Sequence, residues 1–251
     1  MLRFDILTLF PEMFRGMLES SIISRAINNG IVQVNLVNIR DFSLDKHRKV
    51  DDYPFGGGTG MIMSCEPISR AIASVRTQSS RVVYMSPKGR VYNQRIAEEY
   101  AALSHVIILC GHYEGVDQRV IDMEVDDEIS LGDFVLTGGE IAAMALVDSV
   151  SRLIPGVLPE GAVKEESFNG GLLEYPQYTR PAVYKGVEVP PVLLSGNHEM
   201  IRRWRRKKAF EITMLRRPDL LADAKLSQED LQIIFELECE NIRYSNRKEG
   251  K

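Results

Sequence analysis

Runs of apolar residues recur through the first half of the chain, at residues 4–9, 31–39, 81–85 and 106–110, and stretches with helical spacing lie between several of them. Such runs are read as strands buried on both faces, and their alternation with helices predicts an α/β layer on a mainly parallel sheet. The spacing predicts a helix over residues 140–154, with Ile141, Met144, Ala145 and Leu146 on its apolar face and Pro155-Gly156 to stop it. Beyond residue 158 the pattern changes. Residues 159–171 are polar and hold Lys164, Glu165, Glu166, Asn169 and a Gly-Gly pair, which reads as a mobile connection. This predicts a first domain over residues 1–158, a linker over 159–171 and a small helical domain over 172–251. In the last domain Ser227 and Asp230 form a capping-box-like pair, followed by Leu231, Ile234 and Phe235 on one predicted face.

The densest signal lies between Cys110 and Pro155. An apolar run ends at Gly111, as a parallel strand does when its carboxyl end meets a binding crevice, and Gly111 and Gly115 bracket His112, Tyr113 and Glu114. A second short run, residues 133–136, meets Thr137, Gly138 and Gly139, where backbone without side chains can turn sharply or approach a ligand. This pattern predicts a ligand site.

The chain of 251 residues is 44% hydrophobic and 26% charged, enough for a sizeable core. No run approaches the roughly 18 apolar residues of a membrane span, and the start lacks a signal-peptide pattern, so a cytosolic protein is expected. Cys65, Cys110 and Cys239 have neither disulfide-framework nor zinc spacing, and His198-Glu199 lacks the second histidine of a zinc helix. The net charge of −4 argues against a surface coated for nucleic acid. Its distribution says more: Arg202, Arg203, Arg205, Arg206, Lys207, Lys208, Arg216 and Arg217 face only Glu199 and Glu211 between Gly196 and Arg217, and Trp204 sits inside the run. A solvated helix face is the plain reading, and arginines interleaved with an aromatic tilt it toward RNA.

The Gly56–Gly60 cluster has neither Walker nor dinucleotide-binding spacing, and it reads as a loop meeting a large ligand or as a surface turn. Arg152 and Asp148, four apart, would form an ordinary helix-surface pair on spacing alone.

Taken together, LTLFPEMF from Leu7, VDDYPFGGGTGM from Val50, YMSPKGR from Tyr84, LCGHYEGVDQRV from Leu109, ISLGDFVLTGGE from Ile129, DSVSRLIPGVL from Asp148, YPQYTRP from Tyr175 and VPPVLLSGNHEMIRRWR from Val189 carry a resemblance that covers nearly the whole chain. The chain resembles the bacterial tRNA (guanine-N1)-methyltransferase family of the knotted SPOUT class. That resemblance implies a mainly parallel α/β sheet with a C-terminal trefoil knot in the catalytic domain. It implies transfer of a methyl group from S-adenosyl-L-methionine to N1 of the guanosine 3′-adjacent to the anticodon of tRNA, by a homodimer with its sites at the subunit interface. By motif, the cofactor-binding residues are Tyr84, Met85, Ser86, Pro87, Gly111, Tyr113, Glu114, Ser130, Leu131, Gly132, Asp133, Phe134, Val135, Leu136, Gly138 and Gly139. Contacts to tRNA fall to Lys46, His47, Arg48, Asp52, Gly58, Arg202, Arg205 and Arg206.

Guanine N1 carries a proton at neutral pH, so its methylation requires a base for that proton and a cation for the charge that develops on O6. The resemblance assigns Arg152 to O6 and the base to the acidic pair before Ser167-Phe168. The family usually has aspartate directly before Ser-Phe, whereas this chain has Glu166, with Glu165 the alternative. His112 stands where arginine is expected and Phe134 where tyrosine is expected. Magnesium is implied as an aid, with no metal residues assigned. The alternatives are a related SPOUT enzyme methylating a ribose 2′-hydroxyl, which would not need Arg152 and the carboxylate, and a non-catalytic RNA-binding protein, against which Gly111, Gly132, Gly138 and Gly139 argue.

Overall fold

The computed structural model describes residues 1–161, 166–222, 224 and 226–249, and the side chains up to Cys239 within the last helix. The chain forms two compact units, Met1–Glu160 and Gly161–Lys251. In the first, β1 (Leu2–Thr8), α1 (Ser21–Asn28), β2 (Val32–Asn38), α2 (Cys65–Val75), β3 (Ser80–Val91), α3 (Gln94–Ala101), β4 (His105–Cys110), α4 (Gln118–Glu124), β5 (Asp127–Ser130) and α5 (Glu140–Ser151) follow one another. The five strands make one sheet, in the order β2-β1-β4-β3-β5, and every neighbouring pair is parallel.

The central strand β4 explains why its sequence is a continuous apolar run. Val106, Ile108 and Cys110 point into one core with Phe4, Ile6, Val83, Met85 and the α5 residues Ala143, Leu146, Val147 and Val150. Ile107 and Leu109 point into the other, with Val82, Tyr84 and the α2 residues Ile68, Ala71 and Ile72. Both faces are covered by helices, so no polar alternation is possible; each buried Ile or Leu contributes about 1.5–3 kcal/mol. The buried carboxylate of Asp5 in β1 is matched by Arg3 at 2.7 Å, His105 at 2.7 Å and the Asn35 amide at 2.6 Å.

Several expectations need correction. The acidic strand β5, at the sheet edge, gives no apolar run and escapes a hydrophobicity reading. Residues 133–136 form a bent loop. Helix α5 ends at Ser151, with Arg152 as its C-cap, three residues before the expected Ile154. Its buried face is Ala142, Ala143, Leu146, Val147 and Val150, while Ile141 is 50% exposed, because a helix that is apolar nearly all round does not announce which side meets the sheet.

In the second unit, α6 (His198–Arg216) and α7 (Gln228–Glu249) pack through Ala209, Phe210, Ile233 and Leu237, with Leu172. Ser227 and Asp230 form the reciprocal capping box: the Asp230 N–H donates to Ser227 Oγ at 3.2 Å, and the Ser227 N–H to the Asp230 carboxylate at 2.8 Å. The buried stripe of α7 is Asp230, Ile233 and Leu237; of the face predicted for this helix, Ile234 packs against that core, whereas Leu231 at 49% and Phe235 at 65% are exposed. A short hairpin pairs Val183–Tyr184 with Val187–Glu188. Among the described residues no helix is long and apolar enough to cross a membrane.

Candidate functional site

The carboxyl ends of β4 and β5 and the middle of β3 open onto a cavity of about 320 Å³, within the roughly 300–1,000 Å³ typical of small-molecule sites. Strand β4 delivers Gly111 to it. A Cβ at Gly111 would lie 2.7 Å from the Tyr84 hydroxyl oxygen, and one at Gly139 would lie 2.8 Å from Cys110 Cα. That closeness lets the Gly139 N–H donate to the Gly111 carbonyl at 2.8 Å, while His112 and Gly138 form an antiparallel bridge. The strand end and the start of α5 are thereby held together. Tyr113, with φ +59°, and Gly115, with φ +115°, turn the chain back. The return is strapped to residues 61–63: the Glu114 N–H donates to Met61 O at 3.0 Å, and the Met63 N–H to Gly115 O at 2.9 Å.

Strand β3 makes the second wall by leaving its ladder. Met85 and Arg90 both register with Ile129 of β5, so residues 86–89 bulge out between them, toward the cavity. Pro87, which has no N–H to give a ladder, suits that position, and the Lys88 N–H is taken by Ser86 Oγ at 3.2 Å. The third wall follows β5. Ser130 Oγ donates to Gly132 O at 3.1 Å, and the Gly132 N–H donates back to Ser130 Oγ at 3.2 Å, fixing the loop that carries Phe134 into the cavity lining.

Of the residues expected to meet a cofactor, 84–87, 130–131, 134–136 and 138–139 line this cavity with Gly111, Tyr113 and Glu114, whereas Gly132 and Asp133 sit in the same loop outside the lining. Lys88, Val116, Ile121 and Glu128, outside the cofactor residues expected by motif, line it as well. Glu128 follows from β5, the strand that hydrophobicity does not reveal. His112 also lines the cavity. The imidazole Nδ1 of His112 and the Oε2 of Glu128 are cut off from solvent and have no hydrogen-bond partner. Buried polar atoms are rarely left so, since each costs about 1–3 kcal/mol, and both residues line the cavity, which suits a ligand that carries polar groups. Burial first, and the nearby Glu128 after it, push the Tyr84 hydroxyl above its ordinary pKa, against a lowering hydrogen bond from the Val116 backbone. Behind the wall, buried Glu140 accepts a hydrogen bond from Thr8 Oγ1 at 2.8 Å, tying α5 to β1.

Arg152 caps α5, its N–H donating to Asp148 O at 3.2 Å. Glu166 belongs to the second unit, where its carbonyl accepts from the Asn169 N–H at 3.2 Å in a turn through Phe168, at φ +74°. Glu165, the alternative base, lies outside the described residues. Lys46, His47 and Arg48 occupy an exposed turn closed by Asp45, and Arg48 pairs with Asp41 at 3.1 Å. Asp52 holds Lys49 at 3.2 Å, and its carboxyl lies below its ordinary pKa through the Tyr53 N–H first and Lys49 second. Gly58, at φ +131°, lies in the loop that also carries fully exposed Phe55.

The basic stripe of α6 carries less uncompensated charge than its sequence suggests. Arg202 pairs with Glu229 at 3.0 Å, Arg203 with Glu236 at 2.7 Å and Arg206 with Asp230 at 2.7 Å, all on α7. Arg205 lies over the Tyr175 ring at 4.9 Å, and Trp204 meets Tyr178 at 6.3 Å. Among the described residues no group of three or more His, Cys, Asp or Glu converges to hold a metal ion.

Residues 2–223 match the family model described as tRNA (Guanine-1)-methyltransferase TrmD. Curated relatives called tRNA (guanine-N(1)-)-methyltransferase run the length of the chain. The protein from Dictyoglomus turgidum is 54% identical over 241 residues, covering 96% of this chain and 98% of its own. The one from Moorella thermoacetica is 56% identical over 256 residues, covering 100% and 99%, and the one from Geobacter sulfurreducens is 54% identical over 242 residues, covering 95% and 99%. With its parallel α/β sheet and a match of this extent, the chain belongs to the tRNA (guanine-1)-methyltransferase TrmD family, of the SPOUT class.

Proposed function

We propose that this protein transfers a methyl group from S-adenosyl-L-methionine to N1 of the guanosine 3′-adjacent to the anticodon in tRNA, as a cytoplasmic homodimer whose sites lie at the subunit interface. The observation that carries the reading is the cavity at the β3 bulge and the ends of β4 and β5: glycine-walled at Gly111 and Gly139, and lined by two residues that each hold a buried polar atom without a partner, in a chain of this family. Backbone approach without side chains suits the flat edge of an adenine, and the orphaned atoms suit a ligand rich in donors and acceptors. When bound, the cofactor supplies an electrophilic methyl group.

The protein's part is to make guanine N1 nucleophilic. Glu166 accepts the N1 proton, and the Arg152 guanidinium, charged at every working pH, holds the negative charge that grows on O6. The two groups come from different units of the chain. Glutamate in place of the family's usual aspartate lengthens the reach by one methylene. The exposed turn at Lys46, His47 and Arg48, Asp52, the loop at Gly58 and the α6 residues Arg202, Arg205 and Arg206 contact tRNA. For Arg202 and Arg206, phosphate would replace or share the α7 carboxylates, so binding is expected to fall steeply with salt.

The test is incorporation of labelled methyl groups into unmodified tRNA bearing guanine after the anticodon, against the same tRNA bearing adenine. Labelling of the guanine substrate alone supports the reading. Equal labelling of both, or of neither, refutes it.

A further inference from the structure

Glu128 stands out among the cavity-lining residues. It sits on β5 directly beside Tyr84 of β3 in the parallel register, so the two side chains leave the sheet on the same face. The β3 bulge presses on its main chain, since a Cβ at Gly89 would collide with the Glu128 carbonyl carbon and oxygen, and this fixes where the side chain starts. One carboxylate oxygen is sealed from solvent without a partner, although the residue lines the cavity. The lining carries one lysine, Lys88, against two glutamates, Glu114 and Glu128, and of these three only Glu128 has a buried, unpartnered atom; Lys88 and Glu114 are exposed. A half-buried carboxylate in the lining of a net-acidic cavity favours a cationic ligand over a neutral one of the same shape.

S-adenosylmethionine carries a sulfonium, an ammonium and a carboxylate, one net positive charge. Its demethylated product has lost the sulfonium charge and is neutral overall. Resting on the reading of the cavity as the cofactor site, we propose that Glu128 is a specificity-determining residue that senses the sulfonium charge, so that the charged methyl donor is held in preference to the spent product. Transfer of the methyl group leaves the electron pair of the broken carbon–sulfur bond on sulfur, cancels the charge that Glu128 faces and loosens the product for release. Glu128 itself makes and breaks no bond.

The experiment is titration calorimetry of the full-length protein with S-adenosylmethionine, with S-adenosylhomocysteine and with sinefungin, in which an amine-bearing carbon takes the place of the sulfonium. E128Q keeps the shape, removes the charge and replaces one accepting oxygen with a donating amide. It is expected to weaken S-adenosylmethionine and sinefungin at least tenfold and S-adenosylhomocysteine less than threefold, with an unchanged melting temperature. Equal losses for all three ligands, or no loss, would overturn the proposal. If E128Q does not fold, Glu128→Asp, which keeps the charge, must retain the preference for the cationic ligands; loss of that preference, or failure of both variants to fold, assigns Glu128 to the scaffold and overturns it too. Failure of the wild-type protein to bind any of the three would instead refute the cofactor reading on which the proposal stands.

Discussion

A single methyl group decides the fate of the cavity wall at Gly139, where a Cβ would lie 2.8 Å from Cys110 Cα and 3.0 Å from the Gly111 nitrogen. Neither neighbour can give way, because both belong to the backbone that Gly139 is hydrogen-bonded against. Gly139→Ala is therefore expected to weaken cofactor binding by at least tenfold and to lower the melting temperature, measured by calorimetry and thermal unfolding. Gly16 offers the opposite sign: it lies in the short helix Arg15–Leu18 with nothing within 4 Å of an added Cβ, so Gly16→Ala should stabilise by about 0.5–1 kcal/mol in denaturant unfolding. Asp230 contributes a pH dependence. Arg206 foremost, then the Ser227 backbone N–H and side chain, lower its pKa from 3.8 to about 2. A carboxyl lowered on folding stabilises the native state fully above its unfolded value and loses that contribution as the pH falls toward about 2. Asp230→Asn should cost about 1–3 kcal/mol at neutral pH and flatten the acid limb of the stability curve between pH 3.8 and about 2.

At the scale of elements, the apolar runs at 81–85 and 106–110 lie in β3 and β4, and the run at 4–9 lies in β1 up to Thr8, because a strand covered on both faces writes its burial directly into the sequence. Strand β5 was not legible: an edge strand with Asp127 bound by Arg90 and Tyr100 carries polar residues that hide its place in the sheet. The cavity was largely legible from its glycines. What the β3 bulge adds, Lys88 on one wall and the placement of Glu128 on the next, depends on a register shift that no local pattern encodes. The α6 stripe was visible as charge, but its partners on α7 come from some thirty positions later in the chain, beyond any periodicity of α6 itself. Arg205→Glu on α6 should weaken tRNA binding several-fold and reduce the salt slope by about one phosphate contact, whereas unchanged affinity and slope would make that face ordinary surface.

At the scale of the whole molecule, the proposed chemistry draws on both units, with the cavity and Arg152 in one and Glu166 in the other. Arg152→Ala and Glu166→Gln should each slow single-turnover methyl transfer by about a hundredfold or more, while cofactor affinity stays within about twofold, because neither residue lines the cavity. If Glu166→Gln kept its rate and Glu165→Gln lost it, the base would be Glu165. The central claim, that this fold methylates a ring nitrogen of guanine, is tested most directly by digesting the methylated tRNA to nucleosides and locating the methyl group. All of the label as N1-methylguanosine is the predicted result; label on a ribose 2′-hydroxyl, or tRNA bound tightly with no label at all, would contradict it.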